Sequence, residues 1–250
     1  MTPGSRAAAD RTSPDRPELA VVVPCLNESG NLPELVRRLQ AAFPAGHEPH
    51  AEFVIVDDGS NDGSAALLRE LAASEPRLVP VLRAQRGGQT AALGDGLRAS
   101  RAAWIAHLDG DLQNDPADLP GMLLQAKQGF DAVLGYRAAR HDSWRRRAAS
   151  RFANVVRRAV LHDHIRDIGC STRVVRREAL EALPDVPDLH RYLPALLERA
   201  GWRIVQVPAR HEPRRHGESK YTNWRRGLRG VVDLLRMSRV ARHLERPASQ

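Results

Sequence analysis

The chain has 250 residues, 42% of them hydrophobic and 27% charged, and a formal net charge of +8. That length gives one domain, or a domain with an extension, and suffices for a substantial core. Two cysteines distant in sequence, Cys25 and Cys170, exclude a disulfide scaffold and read as buried reduced thiols in the cytosol, and no run approaches the roughly 18 uninterrupted apolar residues of a membrane span. Residues 1–17, rich in Pro, Ala, Arg and Asp, read as a disordered lead-in without a signal peptide. Leu19–Pro24 is a first strand, apolar throughout as for burial on both faces. A turn over Cys25–Gly30 leads to a helix, Asn31–Phe43, with Leu32, Leu35, Val36, Leu39 and Phe43 on one face. Phe53–Val56 is the second strand, Asp57–Ser64 a turn and Ala65–Ala73 a helix. Leu78–Leu82 is a third strand, and Pro80 assigns it to an edge or irregular pairing. After a loop over Arg83–Gly88 come a helix, Gln89–Ser100, and a fourth strand, Ala102–Ala106. Asp115 then caps a helix over Ala117–Gln128, with Pro116 at its first position, and Asp131–Gly135 is a fifth strand. Alternation at this spacing predicts an α/β fold, a mainly parallel sheet with right-handed crossovers.

Beyond Tyr136 the rhythm changes. Arg137–Leu161 is a long basic, Ala-rich helical segment, and Asp167–Val175 a turn with a short strand. Arg176–Leu183 and His190–Ala200 read as helices, Trp202–Val207 as a strand and Pro208–Lys220 as a polar loop. Tyr221–His243 is helical and amphipathic, with Leu228, Val231, Val232, Leu235 and Met237 opposed to Arg225, Arg226, Arg229, Arg236 and Arg239. The expected organisation is a lead-in over 1–17, a catalytic domain over 18–220, and a basic amphipathic helix and tail over 221–250. That last helix has two readings: its stripe lies in a membrane interface, or it packs on the protein's own core.

The candidate site is the stretch after the fourth strand, Asp109-Gly-Asp-Leu-Gln-Asn-Asp-Pro116. Two carboxylates flanking a glycine at a strand's carboxyl end can converge on one hard cation, Mg²⁺ or Mn²⁺, of the kind held by carboxylates together with substrate phosphates. In open α/β sheets ligands bind beyond those strand ends. Asp57-Asp58-Gly59-Ser60 occupies the same place on the second strand, where it either accepts hydrogen bonds from a ribose or base or caps the following helix. Pro24-Cys-Leu-Asn-Glu28 is a third polar strand end, and three in one sheet form one cleft. Arg86-Gly-Gly-Gln-Thr90 opens a helix, where Gly87 and Gly88 allow close backbone approach and a helix N-terminus attracts phosphate. Neither a Walker loop nor a Gly-x-Gly-x-x-Gly follows the first strand. The basic cluster Arg137, Arg140, Arg145, Arg146, Arg147 and Arg151 is either a solvated face or a phosphate-binding one. Aromatic residues are 4% of the chain and sparse among the basic ones, which argues against nucleic acid as a partner.

Taken in order, Pro24–Glu28, Asp57–Ser60, Gln85–Gly88, Asp109–Pro116, Leu134–Arg137, Arg166–Cys170 and Arg214–Lys220 resemble the inverting family-2 glycosyltransferases of GT-A fold. Within them the chain is most similar to the polyprenyl-phosphate, dolichol-phosphate mannose synthase-like branch, over about Leu19 to Tyr221. The resemblance implies a metal group at Asp109, Asp111 and Gln113 and nucleotide-binding turns at Pro24, Glu28, Asp57 and Asp58. It places acceptor-phosphate arginines at Arg137 and Arg151, a loop closing on the donor at Arg214 and Lys220, and a functionally important acid at Asp167. The chain departs from many such relatives in having Gly110 between the metal aspartates, Tyr136 before Arg137, and no carboxy-terminal transmembrane helices.

The implied reaction moves a sugar from a UDP- or GDP-linked donor to a polyprenyl phosphate such as undecaprenyl phosphate, with inversion. The implied location is peripheral, at the inner face of the cytoplasmic membrane, with a membrane-anchored partner protein a further expectation. A phosphate acceptor is already anionic and needs positioning. A hydroxyl acceptor, as in cell-envelope polysaccharide synthesis, would need a carboxylate base, and Asp167 is the candidate. A binding module without turnover is the alternative from another class.

Overall fold

The computed structural model describes residues 17–47, 49–138, 154–212 and 223–244. Strands β1 (Leu19–Cys25), β2 (Ala51–Asp57), β3 (Leu78–Leu82) and β4 (Trp104–His107) alternate with helices α1 (Leu32–Ala42), α2 (Ser64–Ser74) and α3 (Gln89–Ala99). A 3₁₀ turn at Pro116–Asp118 leads into α4 (Leu119–Lys127), followed by β5 (Ala132–Arg137) and a helix over residues 154–161, α5. Then come β6 (Arg173–Arg176), α6 (Arg177–Glu181), α7 (Leu189–Arg199), β7 (Ile204–Ala209) and α8 (Asn223–Arg242). As expected, the Asp115 side chain accepts a hydrogen bond from the Ala117 N–H, with Pro116 opening the turn.

The seven strands form one sheet in the order β3-β2-β1-β4-β6-β5-β7. All neighbours are parallel except β6, which runs antiparallel to both β4 and β5. β3 lies at the edge, where Pro80 removes only a donor that an edge can lose. Strand side chains alternate between the faces. Val21, Val23, Phe53, Ile55, Ala106 and Val133 meet α1, α2 and α4 on one side. Ala20, Val22, Val54, Val56 and Ile105 meet α3 on the other. Ala132, Leu134 and Val175 continue that second side under α6, α7 and α8. Full burial of one such aliphatic side chain contributes about 1.5–3 kcal/mol, so the two-sided strands carry the fold.

The strand order reverses between β1 and β4, the switch point at which an α/β sheet opens a ligand crevice. β1 and β4 pair through Val22 and His107 and no further. Pro24 therefore sits where β1 no longer needs a donor toward β4.

The last helix is amphipathic in a register one residue from that expected. Leu234, Met237 and Ala241 are its buried face, in the core with Tyr192, Leu193, Leu161 and Ile165, whereas Leu235, read as part of the stripe, is exposed. Among its described side chains the stripe packs on the protein's own core. No helix among the described residues is long and apolar enough to cross a membrane. Both cysteines are free and buried.

Candidate active site

Three strand ends converge. The Cys25 thiol, buried at the end of β1, is pushed well above its ordinary pKa by burial first and then by the charges of Glu28, Asp57, Asp109 and Asp111. That places carboxylates from the ends of β1, β2 and β4 around one point. The first two turns are laced together: the Asn27 N–H donates to Ser60 Oγ (2.8 Å), the Asn61 N–H to Asn27 Oδ1 (2.9 Å), and the Ser29 N–H to Asp62 Oδ2 (3.0 Å). Asn27 holds φ at 57°, a left-handed conformation that Asn tolerates better than most residues. The Glu28 side chain accepts from Asn31 Nδ2 at 2.5 Å, which orders the entry to α1.

The two acids after β2 differ. Asp58 accepts the Gly87 and Gly88 N–H groups, each at 2.8 Å, and pairs with Arg83 at 3.0 Å. Gly87 and Asp58, both expected to bind the nucleotide sugar, are joined by this contact, which fixes the loop before α3. Gly59 (φ 76°) supports the same contact, since a Cβ there would lie 2.9 Å from the Arg86 nitrogen. Asp57 is buried and its Oδ1 has no hydrogen-bond partner among the described residues, while Oδ2 accepts weakly from the Ser60 N–H at 3.4 Å. Neither Asp57 nor Asp58 caps the following helix, whose N-cap is Gly63 without a side-chain cap bond; Asp62 beside it accepts from the Ser64 N–H at 3.1 Å.

The turn after β4 is built differently. Gln89, the first residue of α3, donates through Nε2 to Asp109 Oδ1 at 2.7 Å. Burial first, and then the charge of Asp111, push the Asp109 carboxyl above its ordinary range, against hydrogen bonds from Ser171 and Gln89 and the charge of Arg173. Asp109 nevertheless keeps 38% of its side chain accessible at the cleft floor. Asp111 accepts from the Gln113 N–H at 3.2 Å. Between them in the turn, Leu112 holds φ at 61° although it is a bulky residue, a conformation costing about 1–2 kcal/mol. Backbone strain of this kind gathers at functional sites. Gly110 is explained by packing: a Cβ there would stand 2.6 Å from Cys25 Sγ.

The segment after β7 returns to this turn. Asn114 bridges to His211, the Glu212 N–H donates to the Gln113 carbonyl at 2.7 Å, and Gln113 Nε2 donates to the Glu212 carbonyl at 3.4 Å. Asn114 Nδ2 donates to Ser171 Oγ at 2.7 Å, tying the turn to the lead-in of β6. Gln89, Ser171 and Glu212 were not singled out from sequence. Gln89 stood inside a motif noted for its glycines, and the other two are brought in by pairings across most of the chain.

Arg137 and Asp167, expected as acceptor-phosphate arginine and functional acid, face each other. Arg137 Nε and Nη2 donate to the two Asp167 oxygens at 2.7 and 2.8 Å, and the Arg137 N–H donates at 3.2 Å. Arg151, Arg214 and Lys220 lie outside the described residues, as do Arg140, Arg145, Arg146 and Arg147.

A hard cation suits this arrangement. Two carboxylates stand close together in one turn, and burial first, then the charge of Asp111, makes Asp109 resist ionisation, a state that a divalent cation on oxygen ligands would relieve. Asp109, Asp111 and the amide oxygen of Gln113 are the residues able to hold it.

Known proteins resemble this chain in both fold and sequence. It is 35% identical over 218 residues, 87% of its length, to the undecaprenyl-phosphate 4-deoxy-4-formamido-L-arabinose transferase of Aeromonas hydrophila subsp. hydrophila, and spans 65% of that protein. The chain thus spans just under two thirds of the curated relatives it matches. Glucosyl-3-phosphoglycerate synthase from Mycobacterium tuberculosis, solved with uridine diphosphate, superposes with a TM-score of 0.65 at 20% identity, over 100% of this chain and 86% of that one. A Pyrobaculum calidifontis mannosyltransferase, solved with GDP-Man and Mn²⁺, gives 0.63 at 21% identity, over 97% and 72%. The fold is the GT-A glycosyltransferase fold expected from the motifs. Residues 20–183 match the family model described as Glycosyl transferase family 2, and the chain belongs to that family.

Proposed function

We propose that the chain transfers a sugar from a nucleotide diphosphate donor, UDP- or GDP-linked, to a polyprenyl phosphate such as undecaprenyl phosphate, with inversion at the anomeric carbon. The observation that carries this reading is the strained, like-charged turn at Asp109 and Asp111, opening at the switch point of a family-2 sheet. The lipid phosphate acceptor is drawn from the curated relatives, whose names specify it.

Asp109, Asp111 and Gln113 would hold Mg²⁺ or Mn²⁺. The ion would neutralise the donor's diphosphate and the charge developing on the departing nucleotide. Gln89 orients Asp109, and Ser171 supports it from the far side. Pro24, Glu28 and Asp57 form the wall that would receive the nucleoside, with the buried Asp57 oxygen as acceptor. Glu212 is anchored on Gln113, two residues before Arg214, which supports a role for Arg214 and Lys220 in holding the leaving diphosphate.

Asp167 positions Arg137 rather than acting as a base. A carboxylate holding a guanidinium by two hydrogen bonds is poorly placed to take a hydroxyl proton. A phosphate needs no such base, so this pairing favours it over a saccharide hydroxyl. Arg137, oriented by Asp167, and Arg151 would hold the phosphate in line. The site of action we propose is the inner face of the cytoplasmic membrane, with the basic surface toward anionic lipid and a membrane-anchored protein as a further partner.

The test is nucleotide release from a panel of UDP- and GDP-sugars with Mn²⁺ or Mg²⁺, with and without undecaprenyl phosphate, against Asp111→Ala. Release that requires both the lipid phosphate and Asp111 is expected, and it names the sugar. Release indifferent to the lipid would move the acceptor to a hydroxyl, and no release with any donor would favour a binding module.

A further inference from the structure

On the α3 side of the sheet, behind the candidate site, lies a cavity of about 220 Å³ between α3, α6 and α7. Val22, Ile105 and Val175 form its sheet wall, and Leu97, Leu180 and Leu193 its helical wall. Exposed Arg98, Glu181 and Asp185 form a rim of mixed charge open to solvent. The inner end is polar and holds Thr90, His107, Arg173 and His190.

Two of those inner groups are left wanting. His107 is 4% exposed, and neither of its ring nitrogens has a hydrogen-bond partner among the described residues. Its Nε2 stands 3.8 Å from Asp109 Oδ1, beyond hydrogen-bond reach, so the ring nitrogens remain available to a ligand. Arg173 is equally buried. Its guanidinium donates to the carbonyls of Ser171 (3.2 Å), His190 (3.0 Å) and Cys170 (3.4 Å). Three of the five donors of a guanidinium are thereby used, all on neutral oxygens. No carboxylate lies within ion-pair distance of it among the described residues, although Asp109 acts on it from further off. A buried cation with no ion pair in contact is costly. Thr90 and His190, by contrast, satisfy each other at 2.7 Å.

We propose that this cavity binds an aliphatic monocarboxylate of about six to eight carbons, its carboxylate on Arg173 and His107 and its chain along Leu97, Leu180 and Leu193. The size follows from volume: a dry cavity of about 150 Å³ accepts benzene, so 220 Å³ accepts about nine non-hydrogen atoms. The head group follows from charge, since one buried cation balances one negative charge and a doubly charged phosphate monoester would bring an excess. This site lies behind the β4 turn, with His107 Nε2 3.8 Å from Asp109 Oδ1, and does not depend on the transferase reading.

The test is calorimetric titration of the full chain with octanoate and with 1-octanol, repeated on Leu97→Trp, which fills the chain end of the cavity, and on Arg173→Met. One saturable octanoate site is expected, at least tenfold tighter than octanol. It should vanish in Leu97→Trp with the circular dichroism unchanged and weaken at least tenfold in Arg173→Met. Absence of octanoate binding overturns the proposal. So does octanol binding as tightly as octanoate, or undiminished octanoate on Leu97→Trp, which would be adsorption to a basic surface. Should Arg173→Met fail to fold, the octanol comparison and Leu97→Trp decide alone.

Discussion

The turn after β2 and the turn after β4 place paired aspartates at the same edge of one sheet, and the fold treats them in opposite ways. After β2, Asp58 is closed off by two backbone N–H groups and Arg83. After β4, Asp109 receives one side-chain amide, faces the charge of Asp111 and remains partly open to the cleft, beside a leucine in a left-handed conformation. One turn commits its carboxylate to the loop before α3, while the other sets two like charges side by side with one of them partly accessible. Paired carboxylates in a strained turn are what a divalent cation would join.

Removing one acid from each turn should separate activity from stability. Asp111→Ala should lower the rate of nucleotide release at least about a hundredfold, because a metal contributes several kcal/mol of charge stabilisation, while its unfolding midpoint in urea stays close to wild type. Equal activity would remove Asp111 from the chemistry. Asp58→Ala should do the reverse. It leaves the Gly87 and Gly88 N–H groups unpaired, while Arg83 keeps Asp95, and should cost about 2 kcal/mol in denaturant unfolding, against a change below about 1 kcal/mol for Asp109→Asn, which relieves a like-charge contact. Comparable losses from the two variants would dissolve the distinction between the turns.

The contact that joins β1 to the β4 turn sharpens the comparison at a smaller scale. Gly110→Ala would drive a methyl against Cys25 Sγ and should cost about 1–3 kcal/mol. Cys25→Ala in the same chain should return most of that loss. A double-mutant cycle with no coupling would show that the glycine is needed for another reason.

Acid should expose the buried histidines behind the β4 turn. His190 is lowered to about 3, by burial first and then by Arg173 and Arg191. The unfolded chain takes up its proton near pH 6.5, whereas the folded chain stays neutral down to about 3. Between those values the unfolded state holds more protons, so stability falls as pH falls, by up to about 1.4 kcal/mol per pH unit for one histidine. Urea midpoints at pH 7 and pH 5 should differ, and His190→Gln should reduce the difference. An unchanged slope would place the acid sensitivity in other groups, with His107 the next to examine.

The strands and most helices were legible in the residues, because two-sided apolar runs and 3.6-residue stripes are local properties. Leu78–Leu82 and its edge placement through Pro80 came out as read, and so did the cap at Asp115. The terminal helix shows the limit. An amphipathic stripe is readable, but which of Leu234 and Leu235 faces inward depends on how α7 approaches it.

By itself the sequence determined the alternation of elements, the three polar strand ends, and the pair of aspartates at the end of the fourth strand. Tertiary structure alone decided that Asp58 and Gly87 satisfy each other, that Asp167 holds Arg137, and that Gln89, Ser171 and Glu212 reach the Asp109 turn. It also decided that Arg173, bonded to three carbonyls, and His107, whose ring nitrogens have no hydrogen-bond partner among the described residues, line one cavity. The reason is the same in each case. A side chain's chemical type is written in the chain, but whether its hydrogen bonds and charge are already satisfied depends on neighbours that the β1–β4 and β4–β6 pairings bring from far along the sequence.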